Sequence, residues 1–255
     1  MKKVVFWILL IPFLAISQSS PEYAVFENTV LTPNSADVKK FETNLASHNK
    51  QFHAEGPFGA RVYYIANGAN AGSYMWIMGP LPWSVMDTRE NSEAHTNDWN
   101  TNVQPYISNK AETTYWKFES ELSSFPKDFT LNKLLLDIYD IKRFQGDKVK
   151  SVMQKVNKVL TGENFKDLTY GIYMNEMPST KEGRDMSVIY FFDKYSFLSE
   201  DPKFADSYNK MYGENSFKDF MKEWGELTNG SSTELWIFRP ELSGLSGEIK
   251  AAQRQ

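Results

Sequence analysis

The sequence predicts an α+β fold in which two tandem βαββαβ units share one chain and pack their sheets face to face. Three observations carry this: a pattern that recurs near the end of each half, an amphipathic helix near the start of each half, and strands that are apolar on both faces. The recurring pattern is Tyr115-Trp116-Lys117-Phe118-Glu119-Ser120-Glu121-Leu122-Ser123 against Leu235-Trp236-Ile237-Phe238-Arg239-Pro240-Glu241-Leu242-Ser243. Both read x-Trp-x-Phe-x-x-Glu-Leu-Ser at an offset of 120. Self-similarity at a fixed spacing marks a duplicated structural unit.

In chain order, the first segment is a leader. Met1-Lys2-Lys3 is followed by Val4 to Ile16 without a charge. A basic start and a short apolar run are the layout of a secretory signal peptide, and the run is shorter than the ~20 residues a membrane span needs. Ala15-Ile16-Ser17 offers small residues where a signal peptidase reads, so residues 1–17 are expected to be removed before Gln18. The first unit then occupies 18–119. A strand spans Tyr23 to Leu31. A helix capped at Asn34 or Ser35 runs to about Phe52, with Val38, Phe41, Leu45, His48 and Phe52 at helical spacing. Arg61 to Ala66 and Ser73 to Met78 flank the turn Asn67-Gly68-Ala69-Asn70-Ala71-Gly72 and read as a hairpin. A second helix is expected over Ser92 to Ile107, then a closing strand over Thr114 to Phe118.

Residues 120–133 read as a linker, and 134–242 repeat the order. The strand is Leu134 to Phe144. The helix starts near Asp147, with Val149, Val152, Val156 and Val159 on one face. At an offset of 111 these fall on Val38, Phe41, Leu45 and His48. Strands Tyr170 to Met174 and Ser187 to Phe192, helical segments from Phe204 to Leu227, and strand Glu234 to Phe238 complete the unit. Residues 243–255 read as a loose tail. Each unit is the ferredoxin-like split motif. Tyr74 to Met78 and Leu235 to Phe238 are apolar on both faces, so the sheet face away from the helices must also be covered.

Composition excludes several functions. Cysteine is absent, which removes disulfides, thiolate metal sites, cysteine nucleophiles and a lipoprotein anchor. Lys and Arg number 28 against 32 Asp and Glu, and the chain shows no basic stripe. Nucleic acid is therefore not an expected partner, and no later segment is long and apolar enough to span a bilayer. The 7 Trp, 13 Tyr and 18 Phe supply a core and material for a pocket that takes a flat or apolar ligand. No phosphate-binding loop, zinc-protease helix, calcium loop or nucleophile elbow is present, and no cofactor is implied by a motif.

The candidate site residues follow from comparing the two units. His48 lies on the apolar helix face where the second unit has Val159. His95 precedes Trp99 by four residues and shares its helical face. His48, His95 and Trp99 would meet between the first unit's helices and sheet and bind a ligand there; the plainer account is a pair of hydrogen-bonded core histidines. A metal site that adds His53 is not expected, because positions five apart do not share a helical face. Glu27 and Asp137 sit at like places in the two first strands, 110 apart. Facing the interior they would form an acid–base pair; facing outward they would be solvated.

The layout resembles the dimeric α+β barrel superfamily with both protomers fused in one chain. The superfamily includes antibiotic-biosynthesis-type monooxygenases, haem-handling proteins and NIPSNAP-like proteins. The resemblance is architectural, covers nearly all of the chain after the leader, and transfers no active-site signature residue by residue. The leading expectation is an exported, periplasmic or extracellular protein that binds a small apolar or aromatic ligand in the first unit. The resemblance implies two alternatives, a cofactor-independent monooxygenase or a haem-handling enzyme; a structural or protein-interaction module is a third. Oligomeric state is not legible. The exported form should begin at or near Gln18, and its intact mass checks this: a secreted chain that retains Met1 to Ile16 refutes the cleavage.

Overall fold

The computed structural model describes residues 22–89, 92–108, 111–179 and 181–251. The expected leader and its cleavage point lie outside the described residues. In the first half, β1 (Val25–Leu31) leads to α1 (Val38–Phe52), β2 (Ala60–Ile65) and β3 (Tyr74–Leu81), then the short helices α2 (Trp83–Met86) and α3 (Glu93–Asp98), and β4 (Glu112–Phe118). In the second half, the short β5 (Phe129–Thr130) precedes β6 (Lys133–Ile141), α4 (Gly146–Leu160), β7 (Tyr170–Asn175) and β8 (Met186–Phe192). Helices α5 (Phe204–Tyr212) and α6 (Ser216–Leu227), β9 (Thr228–Phe238) and the short β10 (Glu248–Ile249) follow.

Eight strands close into one antiparallel barrel in the order β1-β3-β2-β9-β6-β8-β7-β4. Within each half the order is the same: the last strand, then the first, third and second. The expectation of two sheets packed face to face is thereby refined. The sheets do not stack as separate layers; they join edge to edge. Tyr63, Tyr64 and Ile65 pair with Phe238, Ile237 and Trp236, and Trp116, Lys117 and Phe118 pair with Asn175, Met174 and Tyr173. An open edge leaves a row of unpaired N–H and C=O groups, which closure satisfies.

Side-chain alternation then divides the core into three. Leu31, Phe41, Leu45, Val62 and Trp76 fill the layer between the first-half helices and the barrel wall. Val149, Val152, Val156, Tyr170 and Ile172 fill the second-half layer. Tyr63, Met75, Leu134, Leu136, Ile138 and Trp236 point into the barrel. Both long helices form where the periodic apolar residues predict them. The expected single helix over 92–107 instead changes pitch: α3 passes into a π-helical turn at Trp99–Val103 and a 3-10 turn at Gln104–Tyr106. Pro105 offers no backbone N–H to continue an α-helix.

The C-terminal segment is docked, not loose, as far as residue 251. Leu242 and Ser243 are buried. Asn49 on α1 donates to the Leu242 carbonyl at 2.7 Å and accepts from the Trp76 indole at 3.0 Å. The Ser243 hydroxyl accepts from the Val62 N–H, and the Gly244 and Leu245 N–H groups both reach the Ala60 carbonyl. Strand β10 pairs with β5, so the linker is also structured. A Cβ at Gly244 would lie 2.0 Å from the His53 carbonyl oxygen, inside backbone that cannot step aside. Gly244→Ala should therefore destabilise the fold by about 2–4 kcal/mol, the range of a severe overpacking clash. Urea denaturation checks this, with wild-type stability as the refuting result.

Candidate functional site

Two places in the molecule have the makings of a site, one on each side of the barrel wall. The first is a cluster of all three histidines. His48 projects from α1 into the helix–sheet layer and is almost wholly buried. His53 caps the C-terminus of α1 with a non-helical backbone (φ −131°, ψ 26°). This departure from helical geometry swings its ring back toward His48, and the two ring centroids lie 5.2 Å apart. The expectation that a spacing of five would separate them fails here, because it presumes that the helix continues through His53. His95, in α3, stacks on His48 at 4.9 Å, and Trp99 meets His48 edge-on at 5.2 Å. His48, His95 and Trp99 do come together, but their rings are in mutual contact. That leaves no room between them for an organic ligand.

The hydrogen bonds orient each ring. His48 Nδ1 lies 2.7 Å from Asp98 Oδ2, and His53 Nδ1 lies 2.7 Å from the Phe58 carbonyl oxygen. Both partners only accept, so both Nδ1 atoms carry the proton and both Nε2 atoms carry a lone pair. His95 Nε2 sits 3.2 Å from His53 Nε2 and is its donor. His48 Nε2 is buried and has no hydrogen-bond partner among the described residues. Burial pushes all three histidines below the usual imidazole pKa, His53 to about 4. For His48 burial outweighs the neighbouring Asp98 carboxylate, so the rings are neutral at pH 7. The three nitrogen ligand atoms all lie within 4.8 Å of one another.

The second place is the barrel interior, which holds a cavity of about 750 Å³. Phe26, Val30, Met75, Leu136, Ile189 and Phe191 are among its walls. Each seam adds a ring pair: Tyr63 with Phe238 at 5.5 Å and Tyr173 with Phe118 at 5.3 Å. Burial raises the pKa of both tyrosines, which stay neutral phenols. Polar and charged side chains line it too, Arg61, Glu112, Glu182 and Lys250 among them. Asn28 Oδ1 and Ser187 Oγ are buried without partners among the described residues. Arg184 and the buried Glu234 form an ion pair at 2.7 Å, and Glu234 also accepts from the Trp236 indole at 2.8 Å. At the matching place in the first half Trp116 donates to the neutral Thr114 at 2.9 Å.

The proposed acid–base pair does not form. Glu27 and Asp137 alternate with the interior-facing residues of β1 and β6, so both point outward. Their strands are also four places apart in a ring of eight. Glu27 is buried against Arg89 at 2.6 Å, and Asp137 accepts from Thr233 at 2.8 Å. The cavity itself was missed by sequence reasoning. Its signal was the small and polar interior positions, Asn28 and Ser187, among the strand apolars.

No protein-family model matches the chain, and no curated protein does. Solved structures do. A candidate monooxygenase from Lactobacillus acidophilus NCFM has a TM-score of 0.53 at 12% identity, over 91% of this chain and 100% of its own. Another from Fusobacterium nucleatum subsp. nucleatum scores 0.54 at 7% identity, over 86% and 94%. Chlorite dismutase from Candidatus Nitrospira defluvii, in complex with imidazole, scores 0.52 at 7% identity, over 87% and 93%. What they share with this chain is the fold, an α+β architecture that here closes into an eight-stranded antiparallel barrel. At these identities the likeness is one of architecture alone.

Burial holds the Asp137 carboxyl above the usual carboxylate range. A group with a raised folded-state pKa favours the fold below its unfolded pKa, and that contribution is lost as pH rises through the folded value. Asp137→Asn should then raise Tm at pH 7, above the unfolded carboxyl's pKa, and leave Tm at pH 3 nearly unchanged. Thermal unfolding at both pH values checks this, and a loss of stability at pH 7 refutes it.

Proposed function

We propose that the protein binds a small, largely apolar or aromatic molecule inside the barrel. The observation that carries this is the cavity: about 750 Å³, walled by aromatic and aliphatic side chains and holding two unpartnered polar atoms, Asn28 Oδ1 and Ser187 Oγ. Natural ligand sites are clefts of roughly 300–1,000 Å³, mostly apolar, with a few polar groups that fix orientation. A buried carbonyl oxygen or hydroxyl without a partner is costly, so a ligand that donates to Asn28 and exchanges a hydrogen bond with Ser187 gains affinity from both. The Arg184–Glu234 pair is one of several charged groups in the lining, with Arg61, Glu112 and Lys250 among the others. This moves the ligand from the helix–sheet layer, where the histidine rings are packed, to the other side of the wall.

The same reading takes the halves as two copies of one unit. Their common strand order, and the equivalence of Trp116 with Trp236 and of Tyr63 with Tyr173, support it. It takes the protein as exported, on the strength of the basic start and apolar run of the leader. The fold shared with two candidate monooxygenases supports a second reading, in which the bound molecule is oxidised in the cavity. A histidine-ligated haem does not fit the residues present. The histidines pack ring on ring in the helix–sheet layer, with no slot for a macrocycle, and among the described residues no histidine lines the cavity.

An apolar fluorescent dye such as anilinonaphthalene sulfonate should bind saturably to the native protein. Ile189→Trp, which fills the chamber, should weaken it about tenfold or more, the loss of a few contacts in an apolar pocket, while Tm changes little. Dye binding that is the same in wild type and variant removes the cavity as the site. Oxygen uptake in the presence of a bound phenolic compound distinguishes the oxidising reading from simple binding.

A further inference from the structure

We propose that His48, His53 and His95 form a binding site for a divalent transition metal, with zinc the best-matched ion and the Nε2 atom of each ring as its ligand. The site is independent of the barrel cavity. On β3, Trp76 faces the histidines and meets His53 at 5.0 Å, whereas its neighbours Met75 and Ile77 face the chamber.

The first support is the direction of the lone pairs. His48 Nδ1 is committed to the Asp98 carboxylate and His53 Nδ1 to a backbone carbonyl. A carboxylate or carbonyl behind the distal nitrogen is the arrangement that orients metal-binding histidines and raises their basicity. It leaves two lone pairs, on His48 Nε2 and His53 Nε2, and one ligand nitrogen from each of the three rings lies within 4.8 Å of the other two. The second support is the spacing. Tetrahedral zinc with nitrogens at ~2.0–2.1 Å places its ligands ~3.3 Å apart. His53 Nε2 and His95 Nε2 are already 3.2 Å apart, and their hydrogen bond gives way to a shared ion once His95 moves its proton to Nδ1.

The third support is the cost of the alternative. His48 Nε2 is a buried acceptor without a partner, in a position where the other half carries Val159. As a packing residue, histidine is the poorer choice, because its unpartnered nitrogen loses hydration for nothing. A metal ion at the centre of the three rings satisfies that nitrogen. Three neutral imidazoles suit zinc, copper or nickel and not the oxygen-seeking magnesium or calcium. They leave a fourth position for water, and His95, the most exposed of the three, lies on the entry side.

The experiment uses the full-length protein without a histidine tag, titrated with Co²⁺ as a visible probe and then with Zn²⁺ in competition. One Co²⁺ per chain should bind with the intense absorption of a four-coordinate site, Zn²⁺ should displace it, and Zn²⁺ should raise Tm. His95→Asn and His48→Val should each weaken Zn²⁺ binding by roughly 100-fold or more, and Asp98→Asn by about 10–100-fold, the usual effect of removing an orienting partner. If His48→Val does not fold, His95→Asn, whose ring is partly exposed, decides alone. Absence of saturable binding, or a Zn²⁺ affinity that His95→Asn leaves unchanged, overturns the site.

Discussion

Everything in this molecule depends on two seams of three residue pairs each. At one, Tyr63 to Ile65 of β2 meet Trp236 to Phe238 of β9. At the other, Trp116 to Phe118 of β4 meet Tyr173 to Asn175 of β7. The main β-ladders inside each half run to five or more pairs, so the seams are the shortest hydrogen-bonded contacts in the ring. Each is reinforced from within by a tyrosine–phenylalanine ring pair. Were either seam open, the interior rows of all eight strands would face water. Closed, they enclose a chamber instead of a solid core.

That chamber explains a pattern that otherwise looks wrong. Along β1 the residues that face the helices, Val25, Glu27, Thr29 and Leu31, are buried, and those that face inward, Phe26, Asn28 and Val30, are only half-buried. Inward is the less tightly packed side, because the ring is wider than its side chains can fill. The two halves also differ in their polar groups. Glu234, two residues before Trp236, carries a charge and an arginine partner, while Thr114, two residues before Trp116, is neutral; buried His48 has no histidine counterpart among the buried residues of α4.

Much of the framework was legible because periodicity is a local property. The apolar spacing of Val38 to Phe52 and of Val149 to Leu160 marks both long helices, and Trp116 and Trp236 fall in strands β4 and β9 as read. What was not legible depends on long-range geometry. Which face of β1 and β6 turns inward decides the fate of Glu27 and Asp137, and a sequence with apolar residues on both faces does not reveal it. His53 eluded a helical-wheel argument because it sits one residue past the end of the wheel. Its role follows from a cap conformation and from Phe58, five residues on, which supplies the accepting carbonyl. The docking of Ser243 and Gly244 was equally hidden. Short polar and glycine-rich segments read as loose unless their distant partners, here Val62 and Ala60, are known.

The placement of that last segment bears on how the chain comes to be folded as it is made. Strand β2 lacks its outer neighbour until β9 exists, and the C-terminal end of α1 lacks its brace until Leu242 and Gly244 arrive. The first half to leave the ribosome is thus the last to be completed. A nascent chain would hold Tyr63 and Asn49 without their final partners, Phe238 and Leu242, for most of its synthesis. Until β9 arrives, the β2 edge and the end of α1 are open to solvent, so the ring becomes compact only late in synthesis.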